Sequence, residues 1–112
     1  MIYDDGYAWG AKLVDEYFKD RGEILSAIAV AIVDAPGLER RDLALAERSA
    51  TRANTLAGGV DPKALDALAR VLFARGNVDK ALELQQSAVD KTTDAKLKQE
   101  MQTRLDLYKS KG

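Results

Sequence analysis

The 112-residue chain has no cysteine and no histidine. Without cysteine there are no disulfides, no thiolate nucleophile and no thiolate metal site. Without histidine the usual general base, the commonest zinc ligand and the switch that titrates near neutrality are all missing. Proline occurs only at Pro36 and Pro62, which leaves room for long helices. Neither sign of charge dominates: seventeen Lys and Arg against eighteen Asp and Glu leave a net charge of −1. Such a balance offers no basic field for nucleic-acid phosphates and no cationic face for anionic lipid. The longest apolar stretch, Ile24 to Val33, is half of the ~20 residues that a membrane span needs. The opening Met1-Ile2-Tyr3-Asp4-Asp5-Gly6 is acidic where a signal peptide is basic. The expectation is a soluble protein, cytoplasmic or periplasmic, with no nucleic-acid or membrane partner and no cofactor.

What is present points to a helical domain. Hydrophobic residues make up 46% and charged residues 31% of 12.2 kDa, the balance of one small globular unit. Breaker residues divide the chain into six helical segments. The first covers about Tyr3 to Lys19, with Arg21-Gly22 as a left-handed cap, and the second about Glu23 to Val33. The third covers about Asp42 to Leu56 and closes at Gly58-Gly59. Asp61-Pro62 starts the fourth, which ends at Gly76, because Asp accepts a free N–H and Pro suits a first helical turn. The fifth covers about Asp79 to Asp90, and the sixth starts at Thr93-Asp94 and runs to the tail.

By composition Ile28 to Val33 could be a buried strand, and an internal repeat decides against it. Leu25, Ile28, Ala29 and Ile32 fall on Leu65, Leu68, Ala69 and Leu72, a spacing that marks one helical face. Each copy is followed by paired alanines seven apart, Ala46 with Ala53 and Ala81 with Ala88. From Ala46 to Ala81 is 35 residues, so both copies read as helical hairpins. Small residues at Ala29 against Ala46, and at Ala69 against Ala81, let helix axes approach at the short end of ~8–10 Å.

A repeat of this length, with large-x-x-large-small-x-x-large on its first helix and paired alanines on its second, resembles the tetratricopeptide repeat. Gly76-Asn77-Val78-Asp79-Lys80-Ala81 is similar to that family's turn. The resemblance implies an all-α fold of antiparallel hairpins stacked as a short solenoid. On that division residues 1–21 are a half repeat lacking its first helix, and 22–59 a repeat with an extended inter-helix loop. Residues 60–93 are then a second repeat and 94–112 a capping helix, the whole belonging to a longer protein. A second resemblance lies in Ile28 to Asp34 followed by Arg41-Asp42-Leu43-Ala44-Leu45-Ala46. That stretch is similar to the helical tail behind thioredoxin-fold domains in some secreted bacterial proteins, where the tail carries no redox chemistry itself.

Catalytic constellations are missing. No phosphate-cradling glycine motif occurs. Ser26, Ser49 and Ser87 have no histidine to activate them. Asp15, Glu16 and Asp20 cluster without an oxygen-rich loop and read as a solvated face. The chain is therefore expected to be no enzyme and to bind no metal. In tetratricopeptide-like arrays the first helix of each hairpin lines a concave groove that receives peptides. The positions this implies are Ser26, Val30 and Val33 from one copy and Asp66, Arg70 and Phe73 from the next. One reading gives Phe73 and the two valines as apolar floor, with Arg70 as an anion contact. The other makes Val33 and Phe73 core residues, and Asp66 with Arg70 a surface pair. The function expected is an interaction or scaffold module with a protein or peptide partner, and the rival is a structural spacer or dimerisation element.

The two ends differ. Leu97, Met101, Leu105 and Tyr108 make a stripe of roughly 80° on the last helix, narrow enough for a terminal cap. The first segment carries apolar residues over roughly 200°, about twice what one-sided packing needs. Tyr3, Tyr7, Trp9 and Leu13 on that segment are the candidates for self-association in a two-fold dimer. Gly6-x-x-x-Gly10 has the spacing of a membrane-helix dimer motif, but among Asp4, Asp5, Lys12 and Asp15 it reads as close packing against a soluble neighbour.

Overall fold

The computed structural model describes residues 10, 12, 16, 21–35 and 40–111. The described residues are all-α, with no strand among them, and form five helices. These are α1 (Gly22–Asp34), α2 (Arg40–Leu56), α3 (Pro62–Ala74), α4 (Val78–Lys91) and α5 (Ala95–Lys111). The stretch that could have been a strand by composition lies within α1.

Local chemistry sets the boundaries. The Asp61 carboxylate accepts from the Lys63 N–H at 3.3 Å, and Pro62 opens α3. The Asn77 side chain accepts from the Lys80 N–H at the start of α4, and Asp94 accepts from the Leu97 N–H at the start of α5. Two helices stop in the same way. Gly76 has φ 88°, its N–H donates to the Phe73 carbonyl, and the Asn77 N–H donates to the Leu72 carbonyl at 2.8 Å. Gly58, at φ 72°, does the same for α2 with Gly59 bonding back to Asn54. Both are the double bond pattern that a left-handed residue makes at a helix end, which glycine adopts without steric cost.

Gly22 behaves otherwise. Rather than capping a preceding helix in the left-handed conformation, it is the first residue of α1. The Leu25 N–H donates to the Arg21 carbonyl at 3.0 Å and closes the first turn, so the backbone at Gly22 is already committed to α1.

The helices pack as neighbours: α1 on α2, α3 on both, α4 on α3, and α5 on α4. α3 is the central element. Seven of its thirteen residues are buried, from Ala64 to Ala69 and Val71, so it is covered on most of its circumference. Short side chains make this possible. Ala29, Ala46 and Ala50 share one buried cluster with Leu68 and Val71, while Ala69 and Ala81 share another with Tyr108. The α1–α2 contact adds a buried bond, in which the Ser49 hydroxyl donates to the Leu25 carbonyl at 2.6 Å. Ser49 is thus a tie between two helices.

Of the N-terminal stretch only Gly10, Lys12 and Glu16 are described. Gly10 comes so close to α2 that a Cβ placed on it would lie 2.6 Å from Leu45 Cδ2. Tyr3, Tyr7, Trp9 and Leu13, the self-association candidates, lie outside the described residues, as does most of the first expected helix.

Candidate functional site

Three helices converge on one cleft. α1 contributes Ser26, Ala27 and Val30; α3 contributes Lys63, Asp66, Ala67 and Arg70; α5 contributes Leu97, Glu100, Met101 and Arg104. Every helix presents residues four apart, 26 and 30, 66 and 70, 97 and 101, so each wall is a single helical face. The cleft encloses about 300 Å³ and adjoins a depression of about 410 Å³ lined by Glu23, Ser26, Asp61 and Lys63.

The six groove positions expected from the sequence divide in two. Ser26, Val30, Asp66 and Arg70 line this cleft. Val33 and Phe73 do not. Val33 packs against the cluster of Ala29, Ala46 and Leu68. Phe73 lies at the edge of the Ala69–Ala81 cluster, where its ring stacks on Tyr108 with centroids 4.4 Å apart. Both are half-buried against core clusters, Val33 beside residues of α2 and α3 and Phe73 beside Tyr108 of α5.

Asp66 and Arg70 are more than a surface pair. Asp66 is only 6% exposed, accepts hydrogen bonds from Arg104 and Gln85, and pairs with Arg70. Arg104 donates from Nε to Oδ1 at 2.8 Å and from Nη2 to Oδ2 at 3.1 Å. The Gln85 amide donates to Oδ1 at 2.8 Å and also to the Met101 carbonyl at 2.9 Å. Arg70 Nη2 lies 3.3 Å from Asp66 Oδ2, and its Nη1 lies 3.9 Å from the Asp34 carboxylate. A chain of alternating charge, Asp34–Arg70–Asp66–Arg104, therefore runs from α1 through α3 to α5. Two polar atoms within this network, Arg70 Nε and Gln85 Oε1, are buried without a hydrogen-bond partner among the described residues. Nearby, burial pushes the Tyr108 phenol up to about 12. The negative charge of Asp66 adds to that rise, and Arg70 and Arg104 oppose it.

The wall supplied by α5 was not among the groove positions read from the sequence. Its signal was present: Arg104 falls in line with Leu97, Met101 and Tyr108, at spacings of four, three and four, where a terminal cap would carry another apolar residue. Gln85 likewise occupies a core position between Ala81 and Ala88.

A larger depression, about 550 Å³, lies along the α2 face formed by Ala44, Glu47, Arg48, Thr51 and Thr55, and reaches Arg75, which Glu47 holds at 3.5 Å. Among the described residues it is walled by one helix and the Arg75 turn, and none of the expected groove residues borders it. Among the described residues no cluster of acidic side chains could hold a metal ion, and no helix is long and apolar enough to cross a membrane. No protein-family model, curated protein or solved structure matches the chain.

Proposed function

We propose that this chain is a protein-interaction or scaffold module of tetratricopeptide-like type, without catalysis of its own, whose α1–α3–α5 cleft receives a segment of a partner protein. The observation that carries the reading is the cleft itself. Under the tetratricopeptide resemblance α1 and α3 are the first helices of two successive hairpins, the elements that line the groove in that family, and the capping helix α5 adds the third wall. The neighbour relations of α3 with α1, α2 and α4 fit the same stacked-hairpin arrangement. An apolar floor of Val30, Ala67, Leu97 and Met101 suits a buried side chain of the partner, and the rim of Lys63 and Glu100 suits polar contacts around it.

The test is selection of peptides from a random displayed library, followed by affinity measurement on the wild type and on Ala27→Lys. Ala27 is exposed and borders the cleft, so the variant keeps its fold while placing a long cation over the floor. Selected peptides should lose about tenfold or more in affinity, some 1.4 kcal/mol. Failure to select any peptide, or equal binding by Ala27→Lys, favours the spacer reading.

A further inference from the structure

Two guanidinium groups, Arg70 and Arg104, face one nearly buried carboxylate on the floor of the cleft. In a groove that receives acidic ligands such arginines would present free N–H groups to the partner. Here Asp66 occupies that place. It takes the paired donors of Arg104, and its own second oxygen lies against Arg70. Asp34, with a side chain 65% exposed at the end of α1, supplies a second negative charge beside Arg70. Asp34 lies outside the cleft lining, but with it counted beside Arg70 the two positive charges of this network are matched by two negative ones. The remaining lining is apolar or balanced, with Lys63 opposed by Glu100.

We propose that Asp66 acts as a built-in carboxylate, filling the anion position that Arg70 and Arg104 create, so that the cleft rejects acidic side chains and selects an uncharged segment with an apolar anchor. Specificity of this kind works through an unfavourable contact for the wrong partner as much as through a favourable one for the right partner. A carboxylate entering the cleft finds both arginines already paired with Asp66, and Asp34 beside Arg70, so it gains little from either cation and is repelled by the carboxylates they hold. The arginines nonetheless keep capacity for an anion. Both guanidinium groups line the cleft and stay partly exposed, so removing the internal carboxylate leaves two cations ready for an external one. Asp66 thereby becomes the specificity-determining residue of the cleft, and Arg104 the residue that holds it in place.

The inference rests on the cleft being the partner-binding face, but its test needs no peptide and can fail separately. The probe is inorganic phosphate, followed through the Nε–H resonances of Arg70 and Arg104 in a titration monitored by nuclear magnetic resonance. Wild-type protein should show only weak, non-saturating shifts. Asp66→Asn, which keeps the shape and removes the charge, should show saturable shifts at both arginines, with affinity about tenfold or more above wild type. Asp34→Asn provides the second variant, because an exposed helix-end residue can be neutralised without disturbing the core. It should strengthen the response at Arg70 about twofold to fivefold and leave Arg104 nearly unchanged. Phosphate binding to wild type as tight as to Asp66→Asn overturns the proposal. If Asp66→Asn does not fold, an Arg70 response in Asp34→Asn equal to wild type overturns it, and a strengthened response supports it.

Discussion

Asp66 on α3 and Arg104 on α5 meet in a two-point ion pair, 2.8 and 3.1 Å, across 38 positions of sequence. A carboxylate taken this far from water is stable only while its donors remain. Removing one partner leaves a buried charge, whereas removing both can be close to neutral. Arg104→Met is therefore expected to cost about 2–4 kcal/mol in urea unfolding. The double variant Asp66→Leu with Arg104→Met should cost clearly less than Arg104→Met alone. A double variant at least as unstable as the single one would show that packing of the arginine stem, not the stranded carboxylate, sets the penalty.

The hairpin cores make a paired prediction of opposite volume change. Leu68 is buried with Ala29, Ala46 and Val71, so Leu68→Ala should destabilise by about 2–5 kcal/mol through lost burial and a cavity. Ala81 is fully buried beside Ala69 and Tyr108, so Ala81→Leu should cost about 1–3 kcal/mol by forcing α3 and α4 apart. Thermal melting of both variants at the wild-type temperature would contradict the close approach on which the fold depends.

Much of this architecture is legible in the sequence, and the reasons are local. Asp61-Pro62, Gly58-Gly59, Gly76-Asn77 and Asp94 act through bonds within a few residues, so the helix ends follow from the chain itself. The face of Leu25, Ile28, Ala29 and Ile32, repeated at Leu65, Leu68, Ala69 and Leu72, follows from periodicity: five of these eight residues are buried, and Ile28, Ile32 and Leu72 are half-buried. The third wall of the cleft did not emerge in this way. Arg104 acquires its role from a partner on another helix, and no short-range pattern encodes that distance. Gln85 shows the same limit: it is fully buried, yet its two bonds go to residues 19 and 16 positions away, on α3 and α5. Gly22 shows the opposite error, since a glycine after a charged helix end looks like a cap until the following turn claims it.

That difference between glycines can be measured. Gly76→Ala places a Cβ on a left-handed backbone at φ 88° and should cost about 1–2 kcal/mol. Among the described residues Gly22→Ala meets nothing closer than the Ala53 carbonyl at 3.9 Å, an ordinary contact, on helical backbone. It should stabilise by up to about 1 kcal/mol, chiefly by restricting the unfolded chain. A destabilised Gly22→Ala variant would mean that the start of α1 needs the freedom of glycine after all.

Tyr108 gives the last prediction, a loss of stability in alkali. Its phenol is 4% exposed and is pushed up to about 12 from an ordinary 10, first by burial and then by the charge of Asp66. Below pH 10 the group is protonated in both the folded and the unfolded chain and contributes no slope. Between 10 and 12 the unfolded chain loses the proton while the native protein keeps it, so unfolding is increasingly favoured as pH rises. The full effect is on the order of 2 kcal/mol, reached as pH passes the folded value. The informative quantity is the difference between wild type and Tyr108→Phe in urea unfolding at successive pH values. That difference should shift in favour of Tyr108→Phe as pH rises above 10. Parallel curves for the two proteins up to pH 12 would place the phenol in contact with water rather than against the Asp66 network.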